Sequence, residues 1–256
     1  MNPIIAAAVA ALISSMGYGL KWLTAGGGMA AALVGTAVMW GGGLEAGVPL
    51  AFLFVSGSIL SAATARRSAS HSPATTARDH RQVLANGTWA AVGGAALAVQ
   101  YPIAGWSMLA ASLTAAQADT WSTEFGSFSR QLPRSIVGGR QVVPGTSGGV
   151  TWVGSAGGVA GATLMGAIVW VVGPSPAIAI VATVAGILAM LFDSLLGATV
   201  QAIYTCTGCG AETETQTHPC DSPLQLTRGR GWITNDTVNF LATGAAAALG
   251  IVILMI

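Results

Sequence analysis

The sequence predicts an all-α fold: a polytopic bundle of about eight transmembrane helices carrying a small cytoplasmic Cys/His loop. Three observations lead there. Of the 256 residues, 53% are hydrophobic and only 7% charged, against about 25% charged in a soluble domain. The apolar stretches run to roughly 20 residues each, the length that crosses a bilayer. Placing eight spans puts all ten lysines and arginines in alternate connections, on one membrane face. The positive-inside rule makes that face cytoplasmic, with both termini outside.

Spans are expected at 3–20, 26–41, 47–64, 83–100, 102–119, 150–172, 176–201 and 236–256. The second is short, and the fourth and fifth meet at Tyr101-Pro102, so six or seven spans stay open. The N-terminal stretch has no basic n-region and reads as a retained span, with a cleaved signal as the alternative. Lys21 follows the first span. Arg66, Arg67, Arg78 and Arg81 follow the third, Arg130, Arg134 and Arg140 the fifth, and Arg228 and Arg230 the seventh. Glu45 is the only charge left outside. Three cytoplasmic loops are substantial, 65–82, 120–149 and 202–235, and the first, rich in Ser, Thr, Ala and Arg, is expected to be mobile. The whole chain, 1–256, is one integral membrane domain, with 202–232 a zinc-binding-like loop within it. Many of the 35 glycines sit inside the spans, where small residues let helices approach; Gly154/Gly158 and Gly157/Gly161 are such pairs. Nucleic acid is not an expected partner, because no basic patch is interleaved with aromatics; the net charge of +1 is silent on the point.

Ionisable groups inside spans are costly and point to function. Asp193 lies roughly 12 Å inside span seven at 1.5 Å per residue, and Gly197 and Gln201 share its face at i+4 and i+8. An interhelical hydrogen bond is the bland alternative. Asp119 closes span five; Glu124 follows at about 140° around the helix and joins it only if the helix bends or ends. A charge at headgroup level explains Asp119 taken alone. Asp236 opens span eight, where an acid also suits the helix dipole, with Asn239 and Thr243 on its face. Asn86 enters span four one turn after Gln82, where a capping or interhelical amide is the plain alternative. The topology brings Asn86, Asp119, Asp193 and Asp236 to the cytoplasmic half, and oxygen ligands at one level suit a hard cation such as Mg²⁺. Arg130, Arg134, Arg140, Arg228 and Arg230 offer matching phosphate forks. The glycine-rich run PGTSGGVTWVGSAGG enters span six and reads as an anion-binding loop before a helix N-terminus, or as a flexible turn.

Gly145-Thr-Ser147-Gly-Gly149 also matches a hydrolase GxSxG, and Ser147, Asp193, His218 follow in a triad's chain order. No strand pattern precedes Ser147, so the strand-to-helix elbow this motif needs is not expected. His218 has a better use in C-x2-C-x8-H-x-C. Cys206, Cys209, His218 and Cys220 have the spacing of a Cys₃His structural zinc site, with a redox or idle CxxC as the alternative. Cytoplasmic placement favours reduced thiolates over a disulfide.

QVLANG, ADTWSTEFG, GTSGGVTWVG, DSLLGATVQ, the Cys/His loop and NDTVNF together resemble the phytyl-phosphate kinase family. The order ADTxSxxxG, Arg, GTxGG is also similar to dolichol kinase and phosphatidate cytidylyltransferase, which use CTP. The resemblance covers roughly 80–243. It implies a kinase that passes the γ-phosphate of an NTP, with CTP favoured, to phytyl, geranylgeranyl or farnesyl phosphate. On that reading Asp119, Glu124, Asp193 and Asp236 hold Mg²⁺ or orient phosphates, and Arg134 and Arg140 neutralise developing charge. The Thr146, Ser147, Gly148 and Gly149 backbone cradles the nucleotide. Asn86, Gln201, Arg228, Arg230, Asn235 and Asn239 line the substrates. Such a reaction needs positioning, metal and positive charge rather than a strong base. The alternatives are a CDP-lipid-forming cytidylyltransferase and an ion-coupled transporter. Partners are then the nucleotide, the lipid phosphate and membrane lipids, with a homodimer as one option for assembly.

Overall fold

The computed structural model describes residues 1–68, 77–216, 219–220 and 222–255. Seven helices dominate: α1 Pro3–Gly19, α2 Ala25–Ser68, α3 His80–Ala98, α4 Pro102–Gly126, α5 Trp152–Val172, α6 Pro176–Thr199 and α7 Asn235–Met255. Their ends follow local chemistry. Asn2, Asp79, Thr151 and Ser175 each accept a backbone N–H as N-caps, Asp79 in a full capping box with Gln82. Pro3, Pro102 and Pro176 stand where a missing N–H costs nothing.

The second and third expected spans form α2, broken at Gly43, whose φ of 67° and ψ of −162° belong to the glycine region of the map. The chain reverses there. Gly47 abuts Met39, while Leu23 and Phe54 both meet Gly17 of α1, so the two arms of α2 run antiparallel. Among the described residues four helices suffice by length and composition to cross a membrane: the α2 stretch Ala25–Ala65, α5, α6 and α7; α1 is apolar but shorter. The expected eight therefore contract to four that qualify outright. α4 falls outside them for a reason visible in its packing. Nearly every residue from Gly105 to Ala118 is buried among neighbouring helices, so its Ser, Thr and Gln side chains need not face lipid.

α4 is the axis of the bundle, contacting α2, α3, α5, α6 and α7. Its Leu109 and Leu113 join Val38, Met165 and Val169 in one apolar core. Glycines set the close approaches: Gly93 against Gly105, Gly158 against Ala118 and Ser122, Gly186 against Thr114. At one end of the bundle Trp22 and Thr24 bond the backbone of Arg78, and Gly126 meets Gly154. The connections on that end hold small antiparallel sheets absent from the all-α expectation. β1 Arg134–Ser135 pairs with β2 Gly149–Val150, and β3 Ile203–Cys206 lies between β4 Glu212–Thr213 and β5 Leu224–Arg228. The expected mobility of 65–82 concerns in part residues 69–76, outside the described residues.

Candidate active site

Asp119 of α4 and Asp193 of α6 are both half-buried, and the charge of Asp119 acts directly on Asp193. The Oδ2 atom of Asp193 is buried and accepts no hydrogen bond among the described residues. Two like charges side by side in low dielectric repel strongly, and an unpaired buried carboxylate oxygen is costly. A divalent cation relieves both problems. Two carboxylates with open positions for water and phosphate oxygens form the donor set typical of Mg²⁺, so these residues fit that ion.

One turn further along α6, Gly197 packs against Ser147 and Gly148 of the loop before α5. Gly148 has φ +78 and lies so close to Ala198 that a side chain there would collide. Gln201 is fully buried; its amide donates to Ser147 Oγ and to Glu214 Oε2, both at 2.8 Å. Asp193 and Gly197 share one face of α6, whereas Gln201, expected on that face at i+8, lies beyond the helix end at Thr199 and reaches the loop from there. Arg228, on β5, donates from a terminal nitrogen to Gly197 O at 2.9 Å, while its Nε is buried without a partner. Arg228 also lines a cavity of about 580 Å³ together with Arg140, Thr146, Gln141, Glu212 and Thr227, a volume in the range of small-molecule sites.

The loop 146–149 differs from the open phosphate cradle expected of it. Its Thr146 N–H donates to Val143 O and its Gly149 N–H to Thr146 O. The Ser147 N–H donates to Glu214 Oε1 at 2.8 Å. The donor meets an anion, but the anion is a carboxylate of the chain itself. Ser147 Oγ accepts from Gln201, and the short β2 follows rather than precedes it, so no nucleophile elbow forms.

Other expected site residues lie apart from the acid pair. Glu124 accepts from the hydroxyls of Ser61 and Thr64 in α2 and faces the charge of Arg78. It occupies the α2 face of α4, with Gln117 and Trp121, whose side chains both reach Ser56. Asp236 has Asp79, His80 and Arg81 at the start of α3 as its charged neighbours. Asn86 donates to Gln82 O and lines a cavity bounded by α1 and α2. Of the four helices expected to converge, α4 and α6 bring Asp119 and Asp193 together, while Asn86 and Asp236 have the neighbours just given. Arg134 donates to Gly139 O at 2.9 Å and stays exposed, as do Arg230 and Asn235; Asn239 is half-buried one turn into α7.

In the ribbon loop the ligand atoms of Cys206, Cys209 and Cys220 lie within 4.8 Å of one another. None is in a disulfide. Backbone N–H groups of Cys209 and Gly208 hold the Cys206 thiol below its ordinary value. Hydrogen bonding to Cys209 and Cys206, with burial and their charge, pushes Cys220 up to about 11. Three sulfurs at this spacing fit tetrahedral Zn²⁺, with Zn–S near 2.3 Å. His218, the fourth expected ligand, lies outside the described residues.

Glu214, Arg78, Ser56 and Gln117 were not singled out from sequence. Glu214 carried one signal, an acid inside the Cys/His loop, but its partner is 67 residues away.

A family model described as integral membrane protein DUF92 matches residues 8–247. An uncharacterized membrane protein of Methanocaldococcus jannaschii is 29% identical over 150 residues, 58% of this chain and 52% of that protein. The matched stretch spans about half the length of that curated relative. No solved structure matches.

Proposed function

The chain belongs to the DUF92 family of integral membrane proteins, and on that footing we propose that it is a membrane-embedded kinase acting on an isoprenyl monophosphate. One observation carries this reading. A cavity lined by Arg140, Arg228 and Thr146 opens beside the C-terminal end of α6, and Arg228 reaches Gly197, one turn from Asp193. Positive forks and a metal-binding acid pair within a turn of each other are the parts phosphoryl transfer needs.

In the proposed reaction an oxygen of the lipid phosphate attacks the γ-phosphorus of an NTP, CTP by resemblance. The bond from that phosphorus to the β–γ bridging oxygen breaks, and the nucleoside diphosphate leaves with the electron pair. The acceptor is already ionised, so no strong base is required. Asp119 and Asp193 would hold Mg²⁺, which would supply positive charge to the phosphates. Arg140 and Arg228 take the nucleotide phosphates in the cavity. Glu214 leaves the Ser147 N–H, or stays to fix the loop beside the nucleotide. Cys206, Cys209, Cys220 and His218 would hold Zn²⁺, which would fix the fold of the ribbon loop. The ribbon end of the bundle is cytoplasmic, both termini are outside, and α1, both arms of α2 and α3 to α7 give eight spans.

The test is product analysis. Purified protein with CTP, Mg²⁺ and geranylgeranyl phosphate is expected to release CDP and the lipid diphosphate. Release of pyrophosphate and a CDP-lipid points to a cytidylyltransferase instead. No turnover with phytyl, geranylgeranyl or farnesyl phosphate across four NTPs rules out the kinase.

A further inference from the structure

A second cavity, of about 100 Å³, lies between α1, the two arms of α2 and α3, away from the acid pair. Its walls are almost wholly apolar, with Ile13, Val34, Met39, Leu50, Ala51 and Phe54 among them. Four polar side chains break this pattern: Ser14 of α1, and Arg78, Gln82 and Asn86 from the start of α3 and the residues just before it. Along the second arm of α2 the lining runs from Gly47 to Phe54, about 10 Å at 1.5 Å per residue.

The position of Arg78 gives the cavity a direction. Its backbone is pinned by hydrogen bonds with Trp22 and Thr24. Its guanidinium lies against Gly57, at a point where Thr120 of α4 also approaches. Thr120 adjoins Asp119 in sequence. Glu124 supports the guanidinium charge against burial, which works to lower it. One end of an apolar slot thus meets a fixed cation beside the helix that carries the candidate catalytic acid.

We propose that this cavity binds the chain of a single-tailed lipid phosphate, with Arg78 holding the phosphate and Gln82 and Asn86 completing its polar end. The inference rests on the kinase reading for the identity of the lipid, not for the existence of the site. The occupant follows from the lining. An apolar slot capped by a guanidinium complements an anion on a hydrocarbon chain, and this volume takes the phosphate-proximal part of one chain rather than of two, with the rest of the tail outside it. The phosphate at Arg78 then faces α4. This also gives Asn86 a role beside the lipid rather than beside the metal.

The experiment is equilibrium binding of radiolabelled geranylgeranyl monophosphate and of geranylgeraniol to the full-length protein in detergent micelles, without nucleotide. Wild type is expected to bind the phosphate at least tenfold tighter than the alcohol. Ala51→Trp fills the slot and is expected to weaken both at least tenfold. Arg78→Gln is expected to erase the preference for the phosphate while alcohol binding persists. Unchanged binding in Ala51→Trp overturns the proposal, as does a preserved phosphate preference in Arg78→Gln. Equal competition by dioleoyl phosphatidate also overturns it. If Arg78→Gln does not fold, the Ala51→Trp and competition results still decide. Because no NTP is present, binding with these signatures stands even if turnover is never found. Turnover that Ala51→Trp leaves intact for geranylgeranyl phosphate removes this site and keeps the kinase.

Discussion

Asp193 Oδ2 is buried with no hydrogen-bond donor among the described residues, and Asp119 adds a second negative charge beside it. An unsatisfied buried group of this kind costs about 1–3 kcal/mol, more when charged. Replacing Asp193 by Asn removes one charge, so Asp193→Asn is expected to melt no lower than wild type in EDTA. Mg²⁺ is expected to raise the melting temperature of wild type and not of the variant; a Mg²⁺ shift of equal size in both contradicts the metal assignment. Gln201 donates to both Ser147 and Glu214 while fully buried. Gln201→Ala is expected to destabilise the protein by about 1–3 kcal/mol, because Glu214 loses a donor in a buried setting; chemical denaturation in micelles measures it. At this scale much was legible. The spacing put Asp193 and Gly197 on one face, and the structure joins Gly197 and Gln201 to the 146–149 loop. Glu124 and Asp236 were not legible, since period alone does not say which neighbour a helix face meets. The partner of Glu214 in the 146–149 loop, Ser147, was hidden by a separation of 67 residues.

At the scale of elements, Gly43 and Gly148 bear the sharpest demands. Gly43, at φ 67 and ψ −162, reverses α2 in a region of the map essentially reserved to glycine. Gly148 combines positive φ with contact against Ala198. Gly148→Ala is therefore expected to cost more than Gly43→Ala and, unlike it, to separate the loop from α6 and cut turnover more than tenfold; comparable turnover in the two variants speaks against the loop's place in the site. The three-cysteine loop makes a separate prediction. A Cys206→Ser, Cys209→Ser protein is expected to lose its bound zinc by metal analysis, and unchanged zinc content contradicts the site. Helix positions could be read from apolar runs and from caps such as Thr151 and Ser175. The break at Gly43 falls in the 42–46 gap expected between the second and third spans, whereas the three-stranded sheet could not be read. Two-residue strands such as β4 have too few positions to show a period of two.

For the whole molecule, the membrane assignment rests on composition and on the family, and among the described residues four helices meet the length and hydropathy of a span. The asymmetry of charge goes further, because ten basic residues fall in alternate connections. That arrangement predicts that cysteines introduced at Lys21 and Arg130 react with a membrane-impermeant thiol reagent only from the cytoplasmic side, and one at Glu45 only from the other; labelling of Lys21→Cys and Glu45→Cys from the same side contradicts the eight-span topology. The gross architecture was legible because lipid imposes long apolar runs. Which helix lies at the centre was not, since the enclosure of α4 depends on all its neighbours at once. The central claim joins these scales: Asp119 and Asp193, beside an arginine-lined cavity, form a phosphoryl-transfer site. Transfer of label from γ-³²P-CTP to geranylgeranyl phosphate by the purified protein tests it most directly. The account predicts Mg²⁺-dependent labelled lipid diphosphate from wild type and a loss of at least a hundredfold in Asp193→Asn. Labelled product made equally well by Asp193→Asn would contradict it.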